Sequence, residues 1–498
     1  MLSKSKFIKG QQCHKALWLN INGIDPTNPP DESSKERLSA GNEVGEEAKK
    51  LFPGGVEIPF IKGSSGFKDM CDLTMDAIIS GSQTIYEASF MKEGVFIRVD
   101  IMHLSPEGWN IYEVKSSSNL RSYHKEDASL QWYVLNKVIE LELNNIYVIT
   151  LNNKYSKKGD IDANKLFSLH HLSRFVLSNQ ANIKDGLDKI QHITNSNIEP
   201  KIDIGSHCNK PHGCEYLDRC WPRSAKDLNS VFRLYRMNTD KKLSLYNQGI
   251  DTFEKLDTSI KLSSLQLNQI KAYEISAPII NKTKINSFIE AVDYPISYFD
   301  FETFTDAVPI YDGQKAHMQI PFQYSLHIQD SIDSKYKELI HYEFIADINE
   351  DPRRAIAESL LKNLPKSGTI MAYNQSFEMS RIKDLADHCP DIASDLLKLN
   401  DRFVDLIIPF RGGGYYHHDF GGGFSIKKVL PALCPEDKKL DYKNLEISNG
   451  GMASTAYKEM RYQTKEEVSL KRKKLFDYCW LDTYAMYAIY TKLQDCIK

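Results

Sequence analysis

Residues 295–304 read PISYFDFETF. Aromatic and β-branched residues dominate the run, which predicts a strand, and side chains two apart on a strand share a face. Asp300 and Glu302 are two apart, so both carboxylates lie on one side of an otherwise apolar strand. Unpaired charges are costly to bury in such a setting, and a bound cation removes that penalty. Toward the carboxy end, LFDYCWLDTYAM at 475–486 sets Tyr478 and Asp482 four apart on a predicted helix, hence on one face. Between these two pieces, MAYNQSFEMSRI at 371–382 reads as a strand followed by a helix start that carries Asn374, Phe377 and Glu378. Asp300, Glu302, Glu378 and Asp482 are expected to chelate two divalent cations, Mg²⁺ or Mn²⁺, with Tyr478 positioning the attacking water. Asp405, in RFVDLIIPF at 402–410, is the alternative fourth carboxylate.

The same chemistry is expected in the first half. GVFIRVDIMHL at 94–104 predicts a strand with Asp100, and GWNIYEVKSS at 108–117 predicts the next strand, with Glu113 and Lys115 on one face. A hairpin would bring Asp100 beside them. The two carboxylates would then hold Mg²⁺ or Mn²⁺ while Lys115 orients the attacking water, an arrangement suited to phosphodiester hydrolysis. An isolated E-V-K is usually a pair of surface charges, but an aspartate among apolar residues on the preceding strand shifts the reading toward a site. The following stretch, DASLQWYVLNKVIELE at 127–142, predicts a helix whose Gln131 is expected to contact the metal-bound water or the substrate. Glu87 and Glu43 are weaker candidates.

Nine cysteines occur in 498 residues. Cys208, Cys214 and Cys220 in HCNKPHGCEYLDRCW at 207–221 have five residues between neighbours, without the C-x-x-C pairs of structural zinc, and Cys13 stands alone near the start. Four thiolates from two distant segments suit an iron-sulfur cluster of the 4Fe–4S type. Zinc held by the three clustered cysteines with His207 or His212 is the alternative. The start, MLSKSKFIKGQQCHKALWL, lacks the uninterrupted apolar core of a secretory leader, and no later stretch approaches the roughly 18 apolar residues of a membrane span. A cytoplasmic protein with no membrane partner is expected. The 63 Lys and Arg nearly balance the 66 Asp and Glu, for a net charge of −3, so bulk charge points to no polyanionic partner. Local basic sites remain, in Lys471–Lys474 and beside Tyr415, Tyr416 and His417 of the glycine-rich stretch RGGGYYHHDFGGGF at 411–424, where exposed bases would stack.

Asp100, Glu113-Val114-Lys115, Gln131 and the one-plus-three cysteines together resemble the RecB/AddB-like PD-(D/E)XK nucleases with an iron-sulfur clasp, over about residues 1–222. Two positions depart from that pattern: Gly41 is followed by Gly45 where G-x-x-x-H is usual, and Leu135 replaces the tyrosine of Q-x-x-x-Y. D-x-E at Asp300 and Glu302, N-x-x-F with Glu378 in place of aspartate, and Y-x-x-x-D at Tyr478 and Asp482 resemble the DnaQ-type, RNase H-like 3′–5′ exonucleases of the DEDDy subclass, over about residues 294–495. The order of parts resembles an uncharacterised bacterial family that fuses the two. The tracts SIKKVLPALCP and NLEISNGGMASTAY look like that family as well.

The resemblance implies an α/β multidomain chain. Residues 1–224 are expected to form a PD-(D/E)XK, restriction-endonuclease-like nuclease domain with its four-cysteine cluster. Residues 225–292 are expected as a helical connector, either a plain spacer or, from Leu245, Gly249, Ile250 and Leu256, a helix-hairpin-helix contacting the DNA backbone. Residues 293–498 are expected as the DEDDy exonuclease domain. The function implied is a two-site, metal-dependent nuclease acting on nucleic acid, with single-stranded DNA or free ends favoured and RNA the alternative, and with protein partners in DNA repair or antiviral defence. The rival readings are a non-cleaving nucleic-acid clamp or recruitment module, and an iron-dependent switch on the nuclease.

Overall fold

The computed structural model describes residues 2–29, 32–63, 65–138, 141–334, 338–437 and 440–498. The chain divides into two compact units. The first comprises Met1–Trp221 with Asp306–Met318, and the second Pro222–Thr305 with Gln319–Lys498. Residues 225–292, expected as a separate connector, group with the second unit. Both units mix helices with sheets of mixed strand direction, an α/β architecture.

In the first unit, alternating apolar and polar residues produce strands β1 (Leu2–Ser3), β2 (Val56–Glu57), β3 (Thr84–Lys92), β4 (Val95–Ser105), β5 (Gly108–Lys115), β6 (Leu143–Leu151) and β7 (Phe167–His171). They form one sheet in the order β2-β3-β4-β5-β6-β7, with β1 pairing β4. β3, β4 and β5 are antiparallel neighbours, and β5 pairs β6 in parallel across a crossover. That crossover contains a helix, as parallel pairing requires. Four helices position the chemistry: α1 (Lys4–Gln12), α2 (His14–Ile21), α3 (Ser122–Leu135) and α4 (Ser173–Thr194). The expected helix at 127–142 is α3, which starts five residues earlier and ends at Leu135; residues 139 and 140 lie outside the described residues.

Ile97, Val99 and Ile111 of the sheet bury with Leu130 and Val134 of α3 and Val176 and Ile183 of α4. Full burial of each such side chain stabilises by roughly 1.5–3 kcal/mol. Tyr112 and Ile149 belong to a second apolar cluster, which also takes in Ala307 and Ala316 of the 306–318 segment. Backbone bonds at 2.8 Å from Gly313 to Lys157 and 3.0 Å from Lys157 to Gln314 hold this segment within the unit. His317 Nε2 meets the Ser116 carbonyl at 2.6 Å.

In the second unit, β8 (Ile279–Ile280) is followed by β9 (Ile296–Phe304), β10 (Ile320–Gln329), β11 (Ile340–Ile345), β12 (Thr369–Ala372), β13 (Phe403–Asp405) and β14 (Tyr415–Tyr416). The main sheet runs β11-β10-β9-β12-β13; β10 is antiparallel to both neighbours, and β12 is parallel to β9 and β13. Period two on β9 divides its side chains. Phe299 and Phe301 enter a core with Ile356 and Leu360 of α5 (Pro352–Asn363) and with Ile382 and Leu385 of α6 (Ser376–His388). Tyr298 instead meets Tyr487 and Tyr490 of the long helix Lys465–Asp495. Asp300 and Glu302 share the Tyr298 face. Between α6 and that long helix lie α7 (Ile426–Leu433) and α8 (Gly450–Glu459), and the long helix is α9. Residues 225–292 contain helices Thr239–Asn247, Ser264–Ile275 and Lys282–Ile289. Among the described residues no helix is long and apolar enough to cross a membrane.

Candidate active sites and the cysteine cavity

β9 presents Asp300 and Glu302 to α9, and Asp482 of α9 faces them. Their ligand oxygens all lie within 4.8 Å of one another. Glu302 is 6% and Asp482 7% exposed, and Asp300 is half-buried, so the three acids crowd a largely enclosed space. Burial, reinforced by the neighbouring carboxylates, holds Asp300 and Glu302 well above the usual carboxylate range. Asp482 is pushed up to about 6 by burial, against the pull of hydrogen bonds from Tyr442 and Tyr478. Glu378, in the first turn of α6, lies outside that tight group. Burial pushes it up to about 8, and its Oε2 has no hydrogen-bond partner. Its charge acts on Asp300 and Glu302. The alternative carboxylate, Asp405, is engaged in backbone geometry: its Oδ1 accepts the Asn374 N–H at 2.8 Å and the Ile407 N–H at 3.1 Å. Asn374 takes φ +75°, a left-handed conformation that asparagine tolerates better than most residues.

Two further side chains complete this site. Tyr442 donates its hydroxyl to Asp482 Oδ1 at 2.6 Å. Lys427 of α7 places its Nζ 5.1 Å from the Tyr442 ring centre and 5.4 Å from that of Tyr478. Neither residue stands in a periodic motif. Tyr442 opens the single 3-10 turn Tyr442–Asn444, and packing alone brings it to Asp482.

In the first unit, Asp100, Glu113 and Lys115 meet where β4 and β5 run side by side. Asp100 Oδ2 accepts the Val114 N–H at 2.6 Å. Glu113 Oε1 accepts from Lys115 at 2.6 Å and from Lys4 at 2.7 Å, and its Oε2 accepts from Gln131 at 2.5 Å. Lys115 also pairs with Asp127 Oδ2 at 2.6 Å. Burial, with the Glu113 charge, pushes Asp100 up to about 8. Burial would raise Glu113 too, but the Lys115 and Lys4 ammonium groups outweigh it and hold that carboxyl below the usual range. Gln131 is fully buried on the inner face of α3, and its Oε1 has no hydrogen-bond partner. Lys4 and Asp127 are absent from the sequence reading. Asp127 had a signal, since it precedes Gln131 by four residues and shares its helix face; Lys4 arrives through the packing of α1. Glu87 pairs with Arg98 at 3.3 Å, and Glu43 is exposed.

Cys13 joins α1 to α2, Cys208 lies in the turn Ser206–Asn209, and Cys220 ends the short helix Leu217–Cys220. These three and Cys214 line a single cavity with Ala16, Leu19, His207 and Tyr216. All four are free thiols. Gln12 fastens the loop to α1 by donating to the carbonyls of His207 and His212, both at 2.8 Å. His207 lines the cavity, whereas His212 lines the neighbouring cleft of Lys4, Tyr123 and Asp127.

One surface expectation needs correction. Tyr415 and Tyr416 are buried, not exposed for base stacking: Phe420 packs against both, with ring centres 6.2 and 5.4 Å away, because the surrounding glycines let the loop fold over its aromatic residues. In the basic run, Lys471 pairs with Glu459, Lys474 with Glu446 at 2.5 Å, and Arg472 caps the Ile345 and Ala346 carbonyls. His417, His418 and Asp419 form another close group of ligand atoms. Their imidazole rings stack at 4.3 Å and 26°, and near-parallel rings do not aim two in-plane lone pairs at one ion.

Residues 297–425, about a quarter of the chain, match the family model described as Domain of unknown function (DUF2779). That span holds Asp300, Glu302 and Glu378 and stops before Tyr478 and Asp482. A stretch of 277 residues is 24% identical to the uncharacterized protein MG366 homolog of Mycoplasma pneumoniae, covering 53% of this chain and 40% of that protein. Another comparison, over 284 residues, gives 27% identity to the uncharacterized protein UU173 of Ureaplasma parvum serovar 3, covering 50% of this chain and 38% of that protein. The chain thus spans about two fifths of the length of the curated relatives it matches.

Proposed function

We propose that the chain is a metal-dependent nuclease with two active sites, a PD-(D/E)XK site in the first unit and a DEDDy 3′–5′ exonuclease site on an RNase H-like second unit. The observation that carries this reading is the convergence of Asp300, Glu302 and Asp482 within 4.8 Å, with Tyr478 one helical turn before Asp482. A set of buried carboxylates with raised proton affinity is a poor structural device without a cation, and its all-oxygen donor chemistry suits Mg²⁺ or Mn²⁺. Asp300, Glu302, Glu378 and Asp482 would hold the ions there, and Asp100 with Glu113 would do so in the first unit. Divalent cations supply Lewis acidity and a deprotonated water at such sites. Tyr478 orients the water, and Lys115, fixed between Glu113 and Asp127, presents its ammonium group to the first site. The favoured substrate is single-stranded DNA or a free end, with RNA the alternative, in a repair or defence setting.

The cavity lined by Cys13, Cys208, Cys214 and Cys220 offers four thiols, the donor set of an iron-sulfur cluster, with zinc held by the three clustered cysteines and His207 the alternative. Brown protein with broad visible absorption that disappears in Cys214→Ala is expected; stoichiometric zinc in colourless, anaerobically purified protein would overturn the assignment.

A second reading has an observation in its favour. Both oxygens of Glu113 are already engaged by two lysines and Gln131, which suits a first site that binds nucleic acid without cutting it. Digestion of end-labelled oligonucleotides by the parent, Lys115→Ala, Asp300→Ala and the double variant separates the readings. Loss in both single variants supports two cutting sites, and loss in Asp300→Ala alone supports the second reading. A double variant that cuts like the parent, or a metal-replete parent inert on DNA and RNA, contradicts the nuclease proposal.

A further inference from the structure

A phosphodiester entering the second site meets Asp300, Glu302, Glu378 and Asp482, whose carboxylates repel it once they ionise. Among the described residues, Lys427 is a lysine whose charge bears on Asp300, Glu302 and Asp482 together. Val429, Leu430 and Leu433 bury the opposite side of α7 and pin the helix, so the exposed Lys427 in its first turn projects from a fixed base. Its Nζ donates to the Ser448 carbonyl at 2.5 Å and lies over two tyrosine faces, which attract an ammonium group. One of those tyrosines, Tyr442, is hydrogen-bonded to Asp482 at 2.6 Å. The lysine is thus bonded to a neutral carbonyl and seated between aromatic rings, close to the acids while its charge remains available to an incoming anion.

We propose that Lys427 is the phosphate-binding cation of the second site, receiving the non-bridging oxygens of the terminal phosphodiester. Tyr442 is a positioning residue that holds Asp482 and seats the lysine. The inference rests on the nuclease reading of this site and adds the contact that admits an anionic substrate and offsets charge developing on phosphorus. The product of 3′-end removal is a nucleoside 5′-monophosphate, which gives a probe independent of cutting.

The test compares Lys427→Met and Lys427→Arg with their parent, all carrying Lys115→Ala to silence the first site. Three quantities are measured: the rise in melting temperature with Mn²⁺ alone, the affinity for thymidine 5′-monophosphate with Mn²⁺ present, and kcat and KM for release of the 3′-terminal nucleotide. Lys427→Met is expected to keep the Mn²⁺ shift, bind the nucleotide at least tenfold more weakly and lose about 10²–10³-fold in kcat. Lys427→Arg is expected to restore most of the binding. Parental nucleotide binding and cutting in Lys427→Met overturn the proposal. Loss of the Mn²⁺ shift also overturns it, because the lysine would then be supporting the carboxylates. If the parent cuts nothing yet binds the nucleotide through Lys427, the nuclease reading fails and the phosphate site stands; if it neither cuts nor binds, both fail.

Discussion

Glu113 illustrates how much chemistry one buried carboxylate gathers. Lys4, Lys115 and Gln131 reach its two oxygens at 2.7, 2.6 and 2.5 Å. Exchanging Gln131 for glutamate would set a second buried acid against it. Gln131→Glu is expected to destabilise the first unit by about 3 kcal/mol at pH 7 in denaturant unfolding, and by less at pH 4, where the new carboxyl is protonated. An equal loss relative to the parent at both pH values would contradict the contact. At this scale the sequence exposed residues that obey a local rule: Asp300 and Glu302 two apart, Glu113 and Lys115 two apart, Tyr478 and Asp482 four apart. Lys4, Lys427 and Tyr442 obey none, since each reaches its partner only after distant segments pack.

Among the elements, α9 joins sequence pattern to site most directly. Its start is fixed by Thr464, whose hydroxyl accepts the Glu467 N–H while the Glu467 carboxylate returns to the Thr464 N–H. Farther along, Thr483 hydrogen-bonds Ser325 at 2.7 Å and His327 at 2.8 Å on β10, locking the helix over the sheet one residue after Asp482. Thr464→Ala is expected to cost about 1 kcal/mol in chemical unfolding and leave cutting unchanged, because the cap lies more than three turns before Tyr478. A drop in activity with unchanged stability would contradict that separation. The strands at 84–115, 143–151, 296–304 and 320–329 follow from period-two runs. The glycine-rich loop misled because composition describes flexibility, while burial of Tyr415 and Tyr416 depends on Phe420 and Phe424 closing over them. The 306–318 segment carries no signal of its membership in the first unit.

At the scale of the molecule, buried acids and buried histidines set opposing responses to pH. Asp100 and Glu378, raised to about 8, keep protons that the unfolded chain has already released, so their contribution to stability falls as pH rises from about 4 to about 8. Burial holds His327 down to about 3 and His341 to about 4, so the unfolded chain takes up more protons below about 6.5 and stability falls on acidification. Between about pH 7 and 8 the histidines are mostly neutral in both states, so the acids dominate. Metal-free protein in EDTA is therefore expected to melt at progressively lower temperature across that window, and saturating Mn²⁺ is expected to reverse the trend. Glu378→Gln should flatten part of the fall. A melting temperature that rises with pH in EDTA would contradict the buried-acid account.

Under the proposed function, the second unit removes nucleotides from a 3′ end through Asp300 and its neighbours. The direct measurement uses Lys115→Ala protein with Mg²⁺ or Mn²⁺ on single-stranded DNA labelled separately at each end. Immediate release of the 3′ label as mononucleotide and a descending ladder from the 5′-labelled strand are expected, and neither once Asp300→Asn is added. Early release of the 5′ label, or cutting that survives Asp300→Asn, would contradict it.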